Sequence, residues 1–87
     1  MVTQEAFGFG RAIEELKRGD RVARTGWNGK NMWLILVNGD EWGTEAYKMF
    51  NATHKLPFIA MKTADRGFVP WLASQTDVLA DDWILIG

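Results

Sequence analysis

The sequence predicts an α+β fold: an N-terminal helix packed on a small, mostly antiparallel sheet, with a short C-terminal helix before the last strand. Three observations carry this expectation. Phe9, Ala12, Ile13 and Leu16 recur at helical spacing near the N-terminus. Four or five short apolar runs follow, each bounded by turn formers. The chain has 87 residues, enough for one domain (1–87) and one thin core.

The helix is expected over residues 3–18, with Thr3 as a cap, Gln4 and Glu5 in the first turn, and Gly19 after the last. Gly8 and Gly10 are poor helix formers, each costing about 1 kcal/mol relative to alanine. Either the helix begins near Gly8 or another backbone approaches there. "RVAR" (21–24) reads as a short strand, ended by the loop "TGWNGKN". "MWLILV" (32–37) is a continuous apolar strand. Residues 38–56 show no clean period and read as an excursion with a short helix around 44–50. "PFIAMKT" (57–63), the turn "ADRG" and "FVPW" (68–71) form a hairpin. Pro70 lacks an N–H, so that second strand lies at an edge or stops there. A short helix spans about 75–80, and "WILI" (83–86) is the last strand.

"WLILV" and "WILI" are apolar on both faces, whereas one helix covers one face of a small sheet. The second face is expected to meet another copy of the chain, giving a homo-oligomer. The alternative is that residues 38–56 cover it.

Composition narrows the function. The net charge of −1 supplies no basic stripe for a DNA or RNA polymer, although a small anion could still be held locally. No cysteine is present, so thiol catalysis and cysteine-ligated metals are excluded. No apolar run reaches the length of a membrane span, and the N-terminus lacks a signal pattern; a soluble, cytoplasmic protein with no membrane partner is expected. Five tryptophans exceed what a thin core needs, which points to an interface or a flat ligand.

Catalysis finds little support. The single histidine, His54, lies in the polar excursion and reads as solvated. "LASQT" lacks the glycine-flanked elbow of a nucleophilic serine. Asp77, Asp81 and Asp82 form an acidic cluster, and a helix over 75–80 would put Asp77 and Asp81 on one face, where a hard cation could sit. The plainer reading is a cap and a solvated surface. No P-loop, dinucleotide fingerprint or zinc spacing occurs, and no cofactor is expected.

Two stretches suit a nucleotide-like ligand. Ser74 and Asp77 have the spacing of a capping box, which accounts for both without a ligand. It does not account for Gln75 and Thr76 beside Trp71. The first turn of a helix offers N–H groups that favour phosphate, and Ser74 and Thr76 would extend the donor set. In "GWNGK" (26–30), Asn28-Gly29 forms a tight turn over Trp27. Alternatively Trp27 stacks on a flat base, Asn28 meets its polar edge, and Arg24 and Lys30 neutralise phosphates.

"VARTGWNGKNMWLIL", "PFIAMKTADRGFVPW" and "WLASQTDVLADDWILI" resemble, in order, the signature blocks of a small phage family, the second Thoeris anti-defence family. The resemblance covers nearly the whole chain apart from 38–56. It implies a non-enzymatic sponge acting in the cytoplasm of the infected bacterium. Thoeris systems answer infection by making a cyclic ADP-ribose derivative through a TIR-domain protein, and that signal activates an effector. The sponge binds glycocyclic ADP-ribose intact and hides it. The resemblance also implies homotetramers with pockets between subunits and, in some members, a separate site for the cyclic dinucleotides of CBASS. The ligand-binding residues expected on this chain are Arg24, Trp27, Asn28, Trp71, Ser74, Thr76 and Asp77, with Phe7 and Gly8 at the start of the first helix as the alternative place for the phosphates. Two other classes compete: an enzyme that cleaves a cyclic nucleotide, and a phage structural or assembly protein whose tryptophans are only interface.

Overall fold

The computed structural model describes residues 5–27, 31–41, 48–49, 51 and 54–87. Helix α1 (Phe9–Lys17) leads into strands β1 (Arg21–Arg24) and β2 (Trp33–Val37). A 3₁₀ turn (Gly39–Glu41) follows, then β3 (Phe58–Lys62), β4 (Phe68–Pro70), helix α2 (Gln75–Leu79) and β5 (Trp83–Ile86). The α+β fold and every expected strand are present, and the strand limits agree with the sequence reading to within about a residue, the scatter normal for element ends.

The first helix is shorter than the 3–18 expected. Gly8 is extended (φ −83°, ψ 176°) and stands at the N-cap without a side-chain cap. The reason lies across the sheet: Phe7 pairs with Trp83 in an antiparallel bridge, its N–H and carbonyl both bonded to that residue at 2.8 and 3.0 Å. Two satisfied backbone groups and a glycine hold residues 7–8 extended, which the poor helix propensity of Gly8 allows. The proposed Thr3 cap lies outside the described residues. At the other end, Gly19 takes the left-handed conformation (φ 92°). Its N–H bonds to Leu16 and that of Asp20 to Glu15, so two terminal carbonyls of α1 are satisfied in a Schellman ending.

The sheet is antiparallel throughout, in the order β4-β3-β2-β1-β5. Register fixes the faces. Val22 lies opposite both Leu34 and Leu85, and Leu34 opposite Met61. Ala12 and Leu16 of α1 pack on this face, forming with Val22, Leu34 and Trp83 a fully buried core. Each large side chain buried in this way contributes about 1.5–3 kcal/mol. Residues of the opposite parity, including the pairs Ala23–Ile84 and Ile35–Ala60, form the second face. There Trp33, Ile35, Val37, Phe58, Ile84 and Ile86 are half-buried.

The β3–β4 hairpin closes as expected, but Arg66 and not Gly67 adopts the positive φ (69°). Gly67 is required for another reason: a Cβ there would lie 2.6 Å from Thr63 Oγ1. That hydroxyl accepts from the Gly67 N–H at 2.7 Å. The two ends of the excursion meet where Gly39 presses on the Lys55 carbonyl, too close to admit any side chain. Of the helix expected around 44–50, Lys48 and Met49 are helical and the remainder lies outside the described residues.

Candidate functional site

The expected ligand-binding residues fall largely around Trp83, at the start of β5 and beside the short helix α2. Trp83 is the centre of this region and is fully buried. Around it stand Phe9, Trp27 and Trp71, with ring centroids 5.4, 5.5 and 5.9 Å from it. Trp27 and Trp71 meet each other at 6.5 Å with planes inclined by 58°. No two of these rings are stacked face to face; each pair is tilted or edge-on, the arrangement their quadrupoles favour. Trp27 and Trp71 are half-buried. Residues far apart in sequence thus form one continuous aromatic wall.

Trp71 reaches this place through backbone pairing: its N–H donates to the Ile59 carbonyl at 2.9 Å, one residue beyond β4. The chain then turns into α2. Ser74 is extended and caps α2 with a complete capping box. Its hydroxyl accepts from the Asp77 N–H at 3.1 Å, while Asp77 Oδ2 accepts from the Ser74 N–H at 3.1 Å and from its hydroxyl at 2.9 Å. The polar groups of the cap therefore bind one another. Thr76 and Gln75 are exposed in its first turn. The helix ends at Leu79 and Ala80 is extended, so Asp81 does not share a helical face with Asp77, contrary to the sequence reading. Among the described residues no group of three or more His, Asp or Glu could hold a metal ion.

Arg24 has an unexpected position. Its Nε donates to Asp82 Oδ1 at 2.8 Å and its Nη1 to Asp77 Oδ1 at 2.9 Å. The three side chains are only 18%, 15% and 31% exposed, for Arg24, Asp77 and Asp82 in turn. Asp82 Oδ2 also accepts from the Thr25 hydroxyl and the Gly26 N–H, each at 3.2 Å. A second backbone tie runs from the Thr25 N–H to the Asp82 carbonyl at 3.0 Å. The guanidinium thus joins the turn that carries Trp27 to the cap of α2.

The electrostatics follow from these partners. Arg24 is held even more firmly protonated by its bonds to Asp82 and Asp77. The Asp82 carboxyl is held below the usual carboxylate range, chiefly by Arg24, with burial opposing and Gly26 and Thr25 assisting. For Asp77, burial pushes upward, but the Ser74 N–H and hydroxyl together with Arg24 outweigh it and hold the carboxyl low. Both acids are charged acceptors at neutral pH.

Phe7 and Gly8 border the same region. Phe7 is bridged to Trp83, and a Cβ on Gly8 would lie 3.5 Å from Asp81 Oδ1. The Arg11 guanidinium lies over the Phe7 ring at 4.7 Å and pairs with Glu5 at 2.8 Å. Asn28 and Lys30 lie outside the described residues. The structure therefore brings Arg24, Trp27, Trp71, Ser74, Thr76, Asp77, Phe7 and Gly8 into one neighbourhood. Sequence reasoning had Asp82 only in an acidic cluster, Trp83 only in the last strand and Phe9 only on the helix, none of them as part of this neighbourhood. The signal for Trp83 was its place in an apolar strand directly after an aspartate pair, where an indole can be core and still find an acceptor.

Comparison with known proteins agrees with the sequence resemblance. The Thoeris anti-defense 2-like domain matches this chain over residues 7–86. The chain is 44% identical over 82 residues to Thoeris anti-defense 2 of Bacillus phage SP01, an alignment covering 90% of this chain and 92% of that protein.

Proposed function

The chain belongs to the Thoeris anti-defense 2-like family, and from that premise we propose that it counters Thoeris defence as a sponge. In this reading it acts in the cytoplasm of the infected bacterium. It binds glycocyclic ADP-ribose intact and withholds it from the effector.

The observation that carries the reading is the paired wall of Trp27 and Trp71, 6.5 Å apart on the buried Trp83. An adenine ring stacks on such a surface with little regard to the rest of the ligand, contributing about 1–3 kcal/mol per base. The exposed hydroxyl of Thr76 and the side chain of Asn28 suit ribose and base edges, while the Ser74 hydroxyl, engaged with Asp77, retains only accepting capacity. The opening turn of α1 suits a phosphate, because Gly8 provides no side-chain cap and the first N–H groups of a helix lack intrahelical partners. Sequestration needs no chemical step. An enzyme would need a positioned base, whereas Asp77 and Asp82 are tied to Arg24 and their carboxyls are held low, which makes them weak bases.

The proposal extends to assembly. The second face of the sheet carries Trp33, Ile35, Val37, Phe58, Ile84 and Ile86, with Arg21 and Lys62 at its ends. A homo-oligomer, in this reading a tetramer, would bury it. A separate site for cyclic dinucleotides is part of the same proposal.

The test is to incubate the protein with glycocyclic ADP-ribose, follow its melting temperature, then denature it and identify the released molecule. A ligand that binds only the folded state raises the melting temperature by mass action. A rise with intact release supports the sponge. Altered product indicates an enzyme, and no rise points to a structural role. Running the panel with cyclic dinucleotides tests the second site.

A further inference from the structure

We propose that Arg24 is a positioning residue, which sets the spacing of the two sides of the ligand site through Asp82 and Asp77 rather than by meeting phosphate itself. The inference rests on the sponge reading for its functional consequence, but its structural part stands on the free protein.

The geometry is specific. One guanidinium donates in two directions, from Nε to Asp82 and from Nη1 to Asp77. Asp82 hands the connection on to the Thr25–Gly26 turn immediately before Trp27. Asp77 hands it on to Ser74, which caps α2 and follows Trp71 by three residues. The two tryptophans are thus joined through the chain Gly26–Asp82–Arg24–Asp77–Ser74. Trp83, which lies beneath both rings, binds the same α2 through the Asp77 carbonyl at 3.0 Å. A planar fork with fixed donor directions can hold two carboxylates at a set separation, and an ammonium group cannot do so equally well. Electrostatics argue in the same direction. Two flanking carboxylates offset the Arg24 charge and take its Nε hydrogen and one on Nη1, so a phosphate would meet a guanidinium whose charge is already compensated.

The two roles for Arg24 predict opposite signs for Asp82→Asn. The change is nearly isosteric and removes one negative charge from the site. If Arg24 held phosphate, the site would become more positive, its guanidinium would be freer, and affinity for glycocyclic ADP-ribose would rise or stay level. If Arg24 positions, affinity falls. An amide has one accepting atom and so cannot serve both the guanidinium and the Gly26 N–H.

The experiment compares wild type, Asp82→Asn, Arg24→Lys and Arg24→Ala by titration calorimetry with glycocyclic ADP-ribose at several salt concentrations. The indole N–H resonances of Trp27 and Trp71 are recorded by NMR without ligand. Positioning predicts that Asp82→Asn and Arg24→Lys both lose about tenfold or more in affinity. It also predicts that the salt dependence is unchanged in all variants, and that the Trp27 resonance shifts or broadens in the free protein. Tighter binding by Asp82→Asn, or a shallower salt dependence in Arg24→Ala, would overturn it. So would unmoved indole resonances in Asp82→Asn. If Arg24→Ala does not fold, Asp82→Asn and Arg24→Lys carry the decision. If wild type binds no glycocyclic ADP-ribose, the sponge reading fails, and the NMR arm alone decides whether Arg24 fixes the aromatic wall.

Discussion

The indole N–H of Trp83 donates to the backbone carbonyl of Asp77 at 3.0 Å, tying the last strand to the short helix before it. Trp83 is fully buried and α2 has only five residues. A helix of that length has little stability of its own, so it depends on such tertiary ties.

Trp83→Phe is expected to destabilise the protein by about 2–4 kcal/mol. The loss combines a void where the larger indole packed with an orphaned part-buried hydrogen bond. Urea unfolding monitored by far-UV circular dichroism checks the magnitude. Hydrogen exchange should show the amides of α2 losing protection before those of the central strands. Unchanged protection in α2 would mean that the capping box alone holds it.

Acid is expected to unfold the protein through Asp77 and Asp82. Both carboxyls lie below their ordinary value in the folded state. A group whose folded pKa is depressed contributes stability that is fully present above its unfolded pKa, near 4, and is lost as pH falls through the folded value. Stability should therefore be level from neutral pH down to about 5 and decline below it. Asp77→Asn should lower stability at pH 7 and flatten the acid limb. Equal acid slopes in wild type and Asp77→Asn would assign the transition to other carboxylates.

Most of the fold was legible because local signals and tertiary demands agree. The short apolar runs bounded by turn formers became strands at the expected places, and Ser74–Asp77 became a cap. The start of α1 was legible only as an alternative to the longer helix, through the poor helix propensity of Gly8. Residues 7–8 are held extended by the Trp83 backbone, a partner far away in sequence. Trp27 and Trp71 were singled out in the sequence, and the structure brings their rings together on Trp83, which was read only as a strand residue. The fate of Arg24 was not legible, since a charge beside a loop reads the same whether its partner is a ligand or an aspartate 58 residues away. Gly67 was read as a turn residue, yet it is needed for the Thr63 hydroxyl and not for its φ.

The apolar residues on the second face of the sheet predict assembly. Ile35 and Ile84 lie on it, each opposite an alanine of the neighbouring strand. Light scattering at micromolar concentration should give wild type a mass well above the 9.9 kDa of one chain. Ile35→Lys should lower that mass while leaving the secondary structure intact, because the side chain is only half-buried and can reach water in a separated subunit. A monomeric wild type would place the cover of this face within the chain itself.

The aromatic wall gives the most direct prediction about ligand. Trp27→Ala or Trp71→Ala is expected to weaken binding of glycocyclic ADP-ribose by about 1–3 kcal/mol, the scale of one lost base stack. Thr76→Val, which keeps shape and removes an exposed hydroxyl, should cost less, about 0.5–1.5 kcal/mol. The two tryptophan losses should not add. Both rings rest on Trp83, at 5.5 and 5.9 Å, so removing either lets the other and the base resettle against it. Residues that share a partner show coupling of about 0.5–3 kcal/mol in double-mutant cycles. Titration calorimetry on the two single variants and the double variant measures this coupling, with circular dichroism to show that each is folded. Where a variant unfolds, the Trp→Phe change at that position keeps a ring and reads the same effect at smaller size. Normal affinity in both single variants would move the base away from this wall. Strict additivity would mean that the two rings contact different parts of the ligand, one the base and the other a ribose.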